Sequence, residues 1–268
     1  MLKTRIITAL VIAALLIPAI FLLDSLSWAV LTAVITGIAG WEYARLCGFC
    51  PSGQLRFGAL VTGLAVLAVF LLAPPELRSA GQVALACSIA FWLGLVPFWL
   101  RARWQVKTHW KMALVGLVIL LPTWFALIDL RERGPGWLFG ALLLVALADI
   151  AAYFSGRAFG KRKLAPNISP GKTWEGAYGA MLATTLLAVG AQWSMAGPDV
   201  SKLILIALVM PLLTLVSIAG DLFESLLKRQ AGMKDSSQLL PGHGGVLDRI
   251  DSHTAALPLM AMLLVFLQ

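Results

Sequence analysis

Nine apolar runs, each near the length of a membrane-crossing helix, recur from one end of this chain to the other and dictate its fold class. A helix needs about 20 mostly apolar residues to cross a bilayer, because lipid offers no partner to exposed backbone amides. The runs fall at roughly 6–23, 26–44, 57–73, 80–100, 112–130, 137–155, 174–194, 202–220 and 252–268. Only 13% of residues are charged, against about 25% in soluble domains. No stretch is left that would fold alone in water. The expected fold is therefore all-α, a polytopic integral membrane protein. N-terminal transmembrane helices occupy 1–135, and a C-terminal region with polar cytoplasmic loops occupies 136–268.

Local punctuation refines the runs. Asp24 and Ser25 alone separate the first two, which requires a tight helical hairpin. Pro18, Pro97, Pro122, Pro211 and Pro258 fall inside runs. Each removes a backbone donor, so kinks are expected there. The first run follows Lys3 and Arg5 as a signal peptide's would. No small-x-small cleavage site follows Leu23 and a second span begins at once, so the run is read as a retained helix.

Basic residues set the orientation, since Lys and Arg concentrate in cytoplasmic loops. With the N-terminus inside, 17 of the 21 Lys and Arg fall in inner segments. Arg78, Arg131, Arg133 and Lys202 are left outside. This places Lys161 and Lys234 in the cytoplasm and Gln268 outside. The net charge of +8 is thus read as membrane sidedness and not as affinity for nucleic acid. Cys47, Cys50 and Cys87 form no disulfide framework. The C-x-x-C pair lacks both a βαβ context and four metal ligands, so it reads as small residues at a helix end. His109 and His253 read as structural.

Three polar clusters interrupt the apolar pattern, all at the inner face. In the first, Asp149 and Tyr153 share a helix face and Arg157 follows. An acid inside a span needs a partner or water, and is a functional candidate for that reason. In the second, Ser169-Pro170-Gly171-Lys172-Thr173-Trp174-Glu175 invites a P-loop reading. That reading fails, because Pro166 stands where the first glycine belongs and no strand precedes it. The segment reads instead as a loop ending in a helix N-terminus capped by Ser169 or Thr173, where amides and Lys172 favour an anion.

The third cluster, Ser217 to Asp251, is the densest in charge. If the eighth span runs past Gly220, Asp221, Glu224, Ser225 and Lys228 line one helical face. Asp248 and Asp251 stand at the start of the ninth span, with Asp251 or Ser252 as its cap. Two helix ends then bring Asp221 and Asp248 together across a metal. His243-Gly244-Gly245 gives a loop whose backbone can approach a phosphate. His243 itself stays open between phosphate donor, metal ligand and turn residue. Carboxylates mixed with cations beside a membrane suggest polyphosphate and a divalent metal at a lipid surface.

The run Ser225-x-x-Lys228-Arg229-x4-Lys234-Asp235, followed by Pro241-x-His243-Gly244-Gly245-x-x-Asp248-Arg249-x-Asp251, resembles the signature of the phosphatidate cytidylyltransferase (CDP-diacylglycerol synthase) family. The resemblance covers the chain from Asp149 onward; earlier spans share only hydropathy with the family. One position departs: Gly171 stands where a second lysine often precedes Lys172.

The resemblance implies transfer of CMP from CTP to phosphatidate, giving CDP-diacylglycerol and pyrophosphate. It implies Asp221 and Asp248 as ligands of Mg²⁺, and leaves a second, monovalent cation open. It implies Lys228, Arg229, Lys234, Asp235, Arg249 and Asp251 as catalytic residues. Asp149, Tyr153, Arg157, Ser169, Lys172, Thr173, Glu175, Ser225, His243, Gly244 and Gly245 are implied as substrate contacts. A bacterial-type inner membrane, with the site facing the cytoplasm, follows from the same resemblance, and a homodimer is left open. Two rivals stand beside it. A transporter for an anionic metabolite would share the intramembrane acid and broken helices, but no internal repeat is visible. A polyprenol kinase would share the nucleotide site.

Overall fold

The computed structural model describes residues 2–267. The expected outward placement of Gln268 lies outside the described residues. The helices are α1 (Leu2–Leu22), α2 (Ser25–Leu46), α3 (Pro51–Leu71), α4 (Pro74–Ala90), α5 (Val96–Ala102), α6 (His109–Glu132), α7 (Pro135–Phe159), α8 (Trp174–Ala196), α9 (Val200–Gln230) and α10 (Leu247–Leu267). A single π-helical turn, Phe91–Leu95, joins α4 to α5 into one continuous rod. Each expected span therefore corresponds to one rod. Among the described residues, six rods are long and apolar enough to cross a membrane: α1, α3, α4–α5, α6, α7 and α9. Of the others, α2 and α10 lie in the interior, where Thr32, Thr36, Glu42, Ser252 and Thr254 are buried by protein and need not face lipid.

Caps and prolines explain the boundaries. Asp24 caps α2 by accepting from the Ser27 amide at 2.9 Å, which closes the tight α1–α2 hairpin. Pro18, Pro122, Pro211 and Pro258 lie inside helices, as the sequence requires. Pro97 lies in the first turn of α5, directly after the π turn. There the Val96 amide reaches back to Phe91, so the wider turn absorbs the donor that proline lacks. It also presents Phe91 and Trp92 edge-on to Phe223 of α9, each with ring centroids 5.8 Å away.

Helices approach closely where side chains are small, the usual device when lipid supplies no hydrophobic drive. α2 meets α3 at Gly37 and Gly58, and α7 meets α8 at Gly156 and Gly176. Gly220 of α9 sits against α10: a Cβ there would lie 2.6 Å from the Asp251 carbonyl. α6 lies against α2 and α10, and α1 is peripheral, packing on α7 and exposing Ile7, Leu10 and Leu15.

Hydrogen bonds tie five segments together at one end of the bundle. Arg5 and Thr8 donate to the carbonyls of Gly242 and Pro241. Arg45 donates to Ser236, Gln230 to Trp104, and Arg229 to Ile168. These segments carry the basic excess. At the opposite end Arg131 donates to Ile20 and Leu23, and Arg133 to Leu264.

Two departures from the sequence reading matter for the site. Lys163–Ala165 and Ser169–Thr173 form an antiparallel hairpin, β1–β2, where only a loop was expected. And α10 begins at Leu247, so Asp248 and Asp251 lie within the helix and neither Asp251 nor Ser252 caps it.

Candidate active site

One end of α7, α9 and α10, roofed by the β1–β2 hairpin, encloses a cavity of about 600 Å³. Each wall comes from a local pattern. On α7 the i, i+4, i+8 spacing sets Asp149, Tyr153 and Arg157 along one face, with Arg157 3.4 Å from the Tyr153 hydroxyl. From the hairpin come Ser169, Lys172 and Thr173, the last capping α8 through the Gly176 amide at 3.1 Å. This selects Thr173 over Ser169 as the cap.

α9 continues three turns past Gly220, so Asp221, Glu224, Ser225 and Lys228 do share a face. Asp221 and Lys228 reach the cavity, joined by Asp248, Arg249 and Asp251 of α10 and by Asp235 of the α9–α10 loop. Ser225 stands behind, donating to Asp221 at 3.1 Å.

Three of the acids at this site, Asp221, Glu224 and Asp248, pair with a lysine. Lys172 lies 2.5 Å from Asp221. Lys228 bridges the helices, 2.5 Å from Glu224 and 2.7 Å from Asp248. The second Asp248 oxygen accepts from the Gly245 amide at 2.8 Å, and from the Ser236 amide and hydroxyl at 2.9 Å each. Glu224 keeps one buried oxygen without a partner.

Several expected contacts fall outside the cavity lining. Glu175 accepts from the Lys161 and Arg162 amides and from the Arg162 side chain, so it closes the α7–β1 turn. Its hydrogen bond holds the Arg162 guanidinium more basic than usual. Arg229 ties α9 to the hairpin through the Ile168 carbonyl at 3.3 Å. Lys234 is exposed, and His243 is half-buried with its Nδ1 unpartnered. Gly244 takes a left-handed φ of 85°. A Cβ on it would lie 2.7 Å from Asp248, and one on Gly245 would collide with Ser236 and Glu42. The glycine pair is therefore needed for close packing around Asp248.

One residue was missed by sequence reasoning. Glu42 of α2 is fully buried. It accepts from the Val246 and Leu247 amides at 3.0 and 2.6 Å, and from the Ser237 hydroxyl at 2.5 Å. The Ser236 hydroxyl lies 3.2 Å from it, shared with Asp248. Glu42 thus does the capping at α10 that was assigned to Asp251 or Ser252. The available signal was an acid within the second apolar run.

The donor chemistry suits a hard divalent cation. Asp149, Asp221, Asp248 and Asp251 face one cavity, and Mg²⁺ takes one or two carboxylates and completes its shell with phosphate oxygens and water. Among the described residues, no three of His, Cys, Asp or Glu already converge at ligand spacing. A cation held by few protein ligands is the kind that fits.

The chain matches the profile of the cytidylyltransferase family over residues 3–267, so the likeness reaches the N-terminal spans that the motifs alone left out. It is 45% identical to the phosphatidate cytidylyltransferase of Pseudomonas aeruginosa, over 98% of this chain and 97% of that protein. It is 34% identical to that of Haemophilus influenzae, over 99% of each. A Staphylococcus epidermidis phosphatidate cytidylyltransferase is 44% identical over 51% of this chain. With agreement along nearly its whole length, this chain belongs to the cytidylyltransferase family.

Proposed function

We propose that this multi-pass membrane protein is a phosphatidate cytidylyltransferase, transferring CMP from CTP to phosphatidate to give CDP-diacylglycerol and pyrophosphate. The observation that carries this reading is the shared cavity. It gathers Lys172, Lys228 and Arg249 with Asp149, Asp221, Asp248 and Asp251 at one end of an apolar bundle. A water-soluble triphosphate and a bilayer-held phosphate can meet there.

In the reaction a phosphatidate oxygen bonds to the α-phosphorus of CTP, and the bond from that phosphorus to the bridging oxygen breaks. Pyrophosphate leaves with the electron pair. A phosphate monoester is largely dianionic at neutral pH, with a second pKa of about 6, so no strong general base is required. The protein's contribution is positioning and charge neutralisation. Lys172, Lys228 and Arg249 hold phosphate oxygens. Arg229 and Lys234, outside the lining, add to the positive field at the mouth. Asp149, Tyr153 and Arg157 form the wall supplied by α7. Asp221 and Asp248 would hold Mg²⁺, which when bound supplies charge neutralisation at the α-phosphate and the departing pyrophosphate. The cytoplasm-facing placement rests on the distribution of Lys and Arg, and the bacterial-type inner membrane on the likeness to the bacterial relatives.

Labelled CTP and purified protein in phosphatidate micelles test the reading. α-Labelled CTP should put label into an organic-soluble lipid, and γ-labelled CTP should release it as pyrophosphate. Transfer of the γ-label to lipid would mark a kinase, and no lipid product would mark a transporter; either result refutes the proposal.

A further inference from the structure

Glu42 belongs to a helix outside the cavity lining, yet its carboxylate is the most heavily engaged buried acid outside it. Three donors converge on it: the amides of Val246 and Leu247 and the hydroxyl of Ser237. The Ser236 hydroxyl, 3.2 Å from Glu42 and 2.9 Å from Asp248, joins the two acids. One turn along α2, Arg45 donates to the Ser236 carbonyl at 3.1 Å. The same short segment is thus gripped from α2 through both its hydrogen-bond acceptor and its donors.

The consequence reaches Asp248. Its Oδ2 is held by Ser236, which Glu42 and Arg45 fix in place, and by Gly245, whose neighbour Val246 donates to Glu42. Its Oδ1 is held by Lys228. The amides of Val246, just before α10, and of Leu247, its first residue, are committed to Glu42, so the helix cannot advance or rotate without leaving N–H groups unpaired.

We infer that Glu42 is a positioning residue for the reaction. Through Ser236 and the first turn of α10 it fixes the carboxylate of Asp248 at the cavity wall, and this is the contribution of the N-terminal helices to the site. The inference rests on the reading that Asp248 works at the reaction centre. Partners of this kind, one layer behind the working groups, cost about 10–100-fold in activity when removed.

Glu42→Gln tests it, because glutamine keeps the size but offers one acceptor oxygen and turns a donor toward other donors. The purified variant is expected to stay monodisperse, with kcat lower by about 10–100-fold and the KM for CTP nearly unchanged. An interaction realised in the transition state affects kcat in this way. Amide hydrogen exchange is expected to quicken at Ser236, Val246 and Leu247 while the interior of α9 keeps its protection. The loss should not add to that of Ser236→Ala, since both act on one carboxylate. Full kcat per folded molecule in Glu42→Gln overturns the inference, as does strict additivity with Ser236→Ala. If Glu42→Gln yields no monodisperse protein, Ser236→Ala alone decides, and near-normal kcat there overturns it. Asp248→Asn separates the two levels. Activity retained in Asp248→Asn faults the site reading itself, whereas an inactive Asp248→Asn beside a fully active Glu42→Gln faults only the role of Glu42.

Discussion

The ammonium of Lys228 on α9 donates to the carboxylate of Asp248 on α10 at 2.7 Å, so one hydrogen bond fixes the spacing of the two helix ends that build the site. It is also the link between the charge of the site and the stability of the bundle. Lys228 and its partners Glu224 and Asp248 are all largely shielded from water.

Two lysines at this site should therefore fail differently when removed. Lys228→Met leaves two buried acids without their cation, a change that costs about 3–5 kcal/mol in buried pairs. It should lower both the melting temperature and the rate. Lys172 and Asp221 are more open to water, 21% and 26% exposed, so breaking their pair should cost less stability than breaking the buried one. Lys172→Met should melt near the wild type yet lose about 10²-fold in kcat, as expected for a lost charge-stabilising donor. Thermal melts and CDP-lipid formation per folded molecule, measured side by side, check the contrast. Equal effects of both variants on stability would contradict it.

Close approach at Gly220 gives a second expectation. A methyl group there meets the Asp251 carbonyl at 2.6 Å and the Ala255 Cβ at 3.0 Å, and neither backbone can retreat cheaply. Gly220→Ala should destabilise by about 1–3 kcal/mol, the usual range for overpacking. It should also lower activity by parting Asp221 from Asp248. Gly63→Ala is the control: its Cβ meets nothing within 4 Å, and alanine favours a helix by about 1 kcal/mol over glycine. Activity and melting temperature of both variants are the readouts.

Sidedness gives the third. With the exposed Cys50 and Cys87 and the half-buried Cys47 replaced, a single cysteine at position 161 or 234 should resist an impermeant thiol reagent in sealed cells and react after permeabilisation. One at position 202 should react in both. Labelling of position 234 in sealed cells would invert the topology.

Much of this architecture could be read from the chain because a charged residue stands out in an apolar context. Asp149 and Tyr153 announced their common face by spacing alone. The run of α9 beyond Gly220 was visible as acids and a lysine kept in helical register. The hairpin at Lys163–Thr173 was not visible, since its strands are short, interrupted by Pro170, and lack alternation of polar and apolar residues. Nor was the role of Glu42. Its donors lie between 194 and 205 positions away, and no local pattern encodes such a pairing. For the same reason the start of α10 was misplaced: its capping acid is supplied by another helix.

The distance along the chain between Glu42 and the amides it accepts has a consequence for biosynthesis. Glu42 leaves the ribosome 204 residues before Val246. At about 5–20 residues per second that is a wait of about 10–40 s. Throughout it, an acid that costs free energy to place in lipid has none of the donors it ends with. Glu42 can therefore gain all of these donors only once the last helix is being made, and the cavity, walled in part by Asp248, Arg249 and Asp251 of that helix, is completed in a late step that no shorter chain can take.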